Sequence, residues 1–295
     1  MTRNQVETAP SSTEHGKLAP SPSGSPAALE RGADGSLAPR HALLRTVLPS
    51  VDPGSAPPVE LSLVAPVFEE RDNLRPLYAK VIDVFGAGRD WELVLVDDGS
   101  RDGSSDVIRE LAREDQRVVA VFFSENRGQS AALAAGVHAA RGRRVATLDA
   151  DLQNDPADLP AMIEALGDHD AVVGFRLRRQ DTFVRRISSR IGNGVRNWIS
   201  LDRVRDTGCS LKVFRAEAMR SIPWFHGAHR FLPTLLRYQG FRVIERPVSH
   251  HPRRAGKSKY GIGNRALRGL LDLLAVRWMR SRLIDFPVRE VIRVP

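Results

Sequence analysis

Two carboxylates spaced i, i+2, Asp149 and Asp151, close a short apolar run, Val145-Ala146-Thr147-Leu148. Such a run with β-branched residues reads as a buried strand. Alternate residues on extended backbone point to one side, so the pair is expected to converge at the strand's mouth. Two hard oxygen ligands there suit Mg2+ or Mn2+, with waters and a substrate's phosphate oxygens completing the shell. Taken alone, the pair also reads as an Asp-rich turn ahead of the helix that follows Pro156. Two further acidic strand ends change the balance. Asp97-Asp98-Gly99-Ser100 closes the run Trp91–Val96, and Pro66-Val67-Phe68-Glu69-Glu70 closes Leu61–Ala65. Each alone reads as a turn or a helix cap. Three strand ends with carboxylates read as one site, because ligands of open α/β sheets bind beyond the carboxyl ends of the strands.

The elements that must position these residues follow from periodicity. Strands are expected at Leu61–Ala65, Trp91–Val96, Val118–Phe123, Val145–Leu148, Asp170–Phe175 and Phe241–Val248, with Asp206–Phe214 a loop entering a strand. Helices are expected at Asn73–Phe85, Ser105–Ala112, Gly128–Ala140, Ala157–Leu166, Phe231–Tyr238 and Gly263–Leu283. Strand-helix alternation predicts an α/β fold, a mostly parallel sheet with helices on both faces. No G-x-G-x-x-G follows the first strand, so the dinucleotide fingerprint is absent. Residues 1–58 hold 9 of the 19 prolines and balance 5 basic against 5 acidic side chains. They are expected to form a disordered tail, with one helical turn at His41–Val47. The globular domain is expected over 59–260 and an amphipathic helix with its tail over 261–295.

Charge is placed unevenly. The chain is +9, yet from Arg237 onward 14 Lys and Arg stand against 4 Asp and Glu. Such a field serves nucleic acid, anionic lipid or a phosphorylated substrate. The lone Cys209 excludes an internal disulfide or a cysteine metal site and reads as a small core residue, in keeping with a reducing cytoplasm. His250 and His251 are neighbours on one chain and point apart, which makes them poor joint ligands. No apolar leader and no run of ~18 apolar residues is visible. The last helix mixes Leu, Trp and Met with Arg, so it is expected to lie on a bilayer or pack on the domain.

In order, Pro66 to Glu70, Val96-Asp97-Asp98-Gly99-Ser100, Asn126-x-Gly128 and Asp149-Ala150-Asp151-Leu152-Gln153 resemble the motifs of family-two glycosyltransferases with the GT-A fold. Val172 to Arg176, Arg185-Arg186-Ile187-Ser188 and Arg253-Arg254-Ala255-Gly256-Lys257-Ser258-Lys259 look like the dolichyl- or polyprenyl-phosphate sugar transferase branch. The resemblance implies a nucleotide-diphosphate sugar, UDP- or GDP-linked, as donor. Pro66, Phe68, Glu70, Val96 and Asp98 would line the nucleoside pocket. Asp149, Ala150, Asp151 and Gln153 would hold the diphosphate, and Asp149, Asp151 and Gln153 the Mg2+ or Mn2+. Arg176, Arg253 and Lys259 would contact phosphates, with Arg185 and Arg186 at the acceptor phosphate. Asp151, Arg176, Arg253 and Lys259 would then carry catalysis. Phe68 stands where the family has tyrosine and Glu69 where it has asparagine. Asp206-Thr207-Gly208-Cys209 resembles the family's loop near the acceptor and reads equally as a turn.

This reading implies inverting transfer to a polyprenyl (dolichyl or undecaprenyl) phosphate. A phosphate acceptor carries about −1.5 to −2 charges near pH 7 and needs no general base. It does need cations against the donor's diphosphate, and guanidinium forks supply them. From Arg176 to Arg268 the chain has 22 basic and 5 acidic residues. Nucleic acid as partner is disfavoured, since no module of stacking aromatics accompanies the charge. The Gln-x-x-Arg-Trp signature of processive synthases is absent as well. The expected location is cytoplasmic, peripheral on the inner membrane face or docked on a separate membrane protein. The alternatives are transfer to a hydroxyl of a glycan or lipid, and a catalytically silent binder of nucleotide or anionic lipid.

Overall fold

The computed structural model describes residues 58–86, 90–176, 197, 199, 200, 202, 204–251 and 263–282, with the backbone alone for 263–268. The expected tail (but for its last residue), the turn at 41–47, and Arg185, Arg186, Arg253 and Lys259 lie outside these residues.

The elements alternate: β1 (Leu61–Val67), α1 (Arg71–Phe85), β2 (Trp91–Asp97), α2 (Ser104–Glu114), β3 (Val118–Phe122), α3 (Gln129–Ala139) and β4 (Arg144–Thr147). A 3-10 turn (Pro156–Asp158) leads into α4 (Leu159–Leu166), then β5 (Ala171–Arg176), β6 (Lys212–Arg215), α5 (Ala216–Arg220), a 3-10 turn (Ala228–Arg230), α6 (Leu232–Tyr238), β7 (Val243–Val248) and α7 (Gly263–Ser281). The seven strands form one sheet in the order β3-β2-β1-β4-β6-β5-β7. β1 is parallel to β2 and β4, β2 to β3, and β5 to β7. β6 runs antiparallel to both neighbours, β4 and β5. The expected mostly parallel sheet is therefore observed, with one reversed strand.

Alternation along β1 feeds two cores. Leu61, Leu63, Ala65 and Val67 face α1, α2 and α4 through Leu74, Leu77, Ile108, Leu111, Leu159 and Met162. Val64 faces the other way with Val94, Val96 and Val145, against Ala132, Leu133 and Val137 of α3 and Leu235 of α6. Burial on both faces is why these strands read as continuous apolar runs. α3 lies close to the sheet because it is built of small residues. A Cβ on Gly136 would fall 2.4 Å from Val64 Cγ1 and 3.0 Å from Val96 Cγ2.

The expected strand is observed, but the extended backbone expected through Asp149 and Asp151 is corrected by the structure. β4 ends at Thr147, and Ala150 and Asp151 lie in a turn, followed by Leu152 at φ 62°. Leu148 and Leu152 are buried by the turn's fold onto the core, which mimics a strand pattern. Asp149 and Asp151 are thus placed by a tight turn, not by strand alternation.

α7 packs on the domain through Leu273 and Val276, and leaves Leu270, Leu271, Leu274 and Trp278 exposed. No helix among the described residues is long and apolar enough to cross a membrane.

Candidate active site

β2, β1 and β4 are adjacent and parallel, so their three carboxyl ends share one edge. The β1–α1 and β2–α2 turns are fastened to each other there. Buried Asp97 accepts hydrogen bonds from Ser100 N (3.0 Å) and from the Ser105 hydroxyl. Ser100 Oγ accepts from Glu69 N (2.8 Å), Ser104 Oγ from Glu70 N (3.0 Å) and Asp102 from Arg71 N (3.1 Å). The first N–H groups of α1, which a helix cannot satisfy internally, are thereby paired across the turn. Glu70 in turn accepts from Asn73 Nδ2 at 2.6 Å.

Glu69 adopts φ 53°, in the left-handed region that glycine and asparagine tolerate best. Its main-chain N–H bond to Ser100 does not depend on its side chain. Glu69→Asn is therefore expected to stabilise the fold by about 1 kcal/mol, raising Tm by about 2–4 °C. Calorimetric melting checks this, and an unchanged or lower Tm contradicts it.

Asp98, also buried, anchors the next loop. Its carboxylate accepts from Asn126 Nδ2 (3.0 Å), Arg127 N (2.6 Å) and Gly128 N (2.9 and 3.1 Å). Burial pushes its pKa above the usual carboxylate range; the N–H groups of Arg127 and Gly128 pull the other way, and Asp97 adds to the rise. This anchoring sets the start of α3, whose first residue, Gln129, donates from Nε2 to Asp149 Oδ1 at 2.9 Å.

Asp151 is buried and Asp149 half-buried. Asp151 Oδ1 accepts from Gln153 N (3.1 Å) and so closes its own turn. The turn is pinned from two sides. Thr147 Oγ1 donates to Ser210 O (2.6 Å), and Asn154 Nδ2 to the Ser210 hydroxyl. From β7, His251 N donates to Gln153 O (2.8 Å) and its Nε2 meets Asp155 (3.2 Å). His251 thus serves as a strap on the turn.

Arg176, at the end of β5, is held by Asp206: Nε to Oδ2 at 2.7 Å and Nη2 to Oδ1 at 2.9 Å, both side chains largely buried. Burial alone would lower the Arg176 pKa; the Asp206 carboxylate overrides it, and the net shift is upward. Lys212, on β6 opposite Thr147, is buried, and its ammonium donates to Cys209 O. Burial lowers its pKa, against the pull of Cys209, Asp149 and Asp206. The Cys209 thiol is pushed up by burial and is a core residue.

Of the expected site residues, Pro66, Phe68, Glu70, Asp98, Asp149, Ala150, Asp151, Gln153 and Arg176 follow or end strands of this one sheet, and Val96 is fully buried beneath α3. Gln129, Ser130 and His229 were not singled out in the sequence, because their roles come from partners distant along the chain. Two carboxylates and an amide make a hard-oxygen donor set for Mg2+ or Mn2+. Among the described residues no group of three or more His, Cys, Asp or Glu is arranged to hold a metal ion.

The mostly parallel α/β sheet with adjacent acidic strand ends has the architecture of GT-A proteins. The family model for glycosyl transferase family 2 matches residues 62–222, more than half of the chain, and the chain belongs to that family. It is 41% identical over 225 residues to a dodecaprenyl-phosphate galacturonate synthase of Rhizobium johnstonii, covering 74% of this chain and 66% of that one. It is 40% identical over 205 residues to an undecaprenyl-phosphate 4-deoxy-4-formamido-L-arabinose transferase of Edwardsiella ictaluri, covering 68% and 63%. The chain thus spans a little under two thirds of the length of these relatives. Among solved structures, a mannosyltransferase from Pyrobaculum calidifontis in complex with GDP-Man and Mn2+ aligns at TM-score 0.53 and 21% identity, over 80% of this chain and 67% of that one. A glucosyl-3-phosphoglycerate synthase from Mycobacterium tuberculosis in complex with Mn2+ and UDP-glucose aligns at 0.57 and 16%, over 77% and 80%. Both share the fold.

Proposed function

We propose that this protein transfers a sugar from a nucleotide-diphosphate sugar to a polyprenyl phosphate, with inversion, at the cytoplasmic face of a membrane. The observation that carries this reading is the convergence at one sheet edge of the Asp149–Gln153 turn and the strap from His251; Arg253 and Lys259 follow His251 in the sequence. The likeness to relatives named for dodecaprenyl- and undecaprenyl-phosphate chemistry supports it.

In this reading Pro66, Phe68, Glu70 and Asp98 shape the nucleoside side, Asp98 by fixing the Asn126–Gly128 loop. Asp149, Asp151 and Gln153 would hold a divalent cation that acts as Lewis acid on the leaving diphosphate. Gln129 orients Asp149, and Gln153 N orients Asp151. Arg176, locked by Asp206, presents fixed positive charge to phosphate. Arg185, Arg186, Arg253 and Lys259 gather the acceptor phosphate. A phosphate oxygen attacks the anomeric carbon, the bond to the diphosphate breaks, and the departing oxygen keeps the electron pair. No side chain takes a proton, because the acceptor arrives ionised. The exposed Leu270, Leu271, Leu274 and Trp278 face of α7 suits a bilayer surface.

The test is a screen of UDP- and GDP-sugars with polyprenyl phosphate, with and without Mn2+, read by mass spectrometry of the lipid. A sugar-phosphate lipid labile to mild acid is expected, lost on chelation. An acid-stable product would favour transfer to a hydroxyl, and no turnover of any donor would favour a silent binder. Arg253→Ala is expected to raise the acceptor's KM or lower kcat by about tenfold while leaving the donor's KM unchanged. An unchanged acceptor response removes Arg253 from the phosphate site.

A further inference from the structure

His229 is a titratable group that this mechanism does not use. It sits in the 3-10 turn ahead of α6, half-buried, against the start of α3. Ser130 Oγ accepts N–H bonds from Gly227 (3.1 Å) and from His229 itself (3.3 Å). With both lone pairs engaged, the Ser130 hydroxyl hydrogen has His229 Nδ1 as its acceptor, at 2.7 Å. Nδ1 is therefore the bare nitrogen of the ring, and Nε2 carries the hydrogen. Charging the ring would place a second hydrogen against that hydroxyl. Burial, then Arg230, then Lys212 oppose it too, and together they lower the imidazole pKa to about 3. The ring stays neutral throughout the physiological range and is no general base.

His229 Nε2 has no hydrogen-bond partner among the described residues and is not sealed from solvent. Ser130 follows Gln129, which holds Asp149, and buried Lys212 lies within electrostatic reach of both Asp149 and His229. We propose that His229 is a fixed neutral hydrogen-bond donor of the transfer site, offering Nε2–H to an oxygen of the bound nucleotide-sugar, with Ser130 as the residue that sets its tautomer. This deepens the reading above and rests on it for the identity of the ligand. A neutral donor suits a site that needs no base.

The experiment measures donor affinity by calorimetry, without lipid acceptor, for the wild type, His229→Phe, His229→Gln and Ser130→Ala. Its outcome therefore does not depend on which acceptor the protein uses. His229→Phe is expected to bind the nucleotide-sugar about tenfold more weakly, the loss of one such hydrogen bond. His229→Gln places an amide N–H near Nε2 and should recover most of the affinity. A matching loss with the bare nucleoside diphosphate assigns the contact to a diphosphate oxygen; a loss confined to the nucleotide-sugar assigns it to the sugar. Wild-type affinity should stay flat from pH 5.5 to 8, and Ser130→Ala should weaken binding less than His229→Phe. The proposal is overturned if His229→Phe binds like the wild type, if Gln fails as badly as Phe at an unchanged melting temperature, or if wild-type affinity titrates near pH 6–7.

Discussion

Asp151→Asn is expected to lower transfer at least about a thousandfold while leaving the melting temperature within a few degrees of the wild type. Loss of one of two carboxylates from the cation set removes several kcal/mol of charge stabilisation on the leaving diphosphate, and ~4 kcal/mol corresponds to ~10³ in rate. The fold should survive because the contact Asp151 makes within its turn is to Gln153 N, through an oxygen that asparagine retains. Steady-state kinetics beside calorimetric melting separate the two effects. Normal turnover by the variant removes Asp151 from the cation site.

Asp206→Ala carries the second large effect, and it acts first on stability. The variant strands the Arg176 guanidinium, whose side chain is 13% exposed, without its bidentate partner, and it also frees the N–H groups of Arg176 and Gly208. Removing one member of a buried pair costs about 3–5 kcal/mol, or roughly 10 °C in Tm for a domain of this size. Arg176→Met in the Asp206→Ala background should restore part of that loss, since no buried charge is then unpaired. Transfer should stay low in both, because the fixed cation is gone. A double variant whose losses simply add would show that the two side chains do not act as a pair.

Much of the architecture was legible in the chain. Continuous apolar runs such as Leu61 to Val67 and Trp91 to Val96 are what strands buried on both faces must be, and α1 and α2 carry their core residues at helical spacing. The reversal of β6 was not legible: four residues, Lys212–Arg215, offer no periodicity that tells direction. The turn at Asp149–Gln153 was legible only as an alternative, and its conformation was not, because Leu152 takes a left-handed conformation its residue type does not announce. The carboxylates were visible from residue type and order. Their supports were not. Gln129 reaches Asp149 across 20 positions, Arg176 reaches Asp206 across 30 and Ser130 reaches His229 across 99, and such pairings are set by strand order and helix placement.

In the proposed reading, the exposed side of α7 is the surface that meets a membrane. Leu273 and Val276 hold the helix on the core beside α3 and α6, while Leu270, Leu271, Leu274 and Trp278 face outward with Arg277, Arg280 and Arg282 nearby. In that reading, an apolar stripe edged by guanidinium groups would lie on an anionic bilayer surface, where a lipid-borne phosphate is found.

The most direct measurement supplies the purified protein with Mn2+, a panel of UDP- and GDP-sugars and two lipids that differ only in their head, a polyprenyl phosphate and the corresponding polyprenol. A sugar should appear on the phosphate lipid alone, with nucleoside diphosphate released in equal amount and nothing formed once the cation is chelated. Sugar on the polyprenol, or nucleoside diphosphate released with neither lipid modified, would contradict a site in which acidic strand ends hold the donor and a basic rim holds the lipid's phosphate.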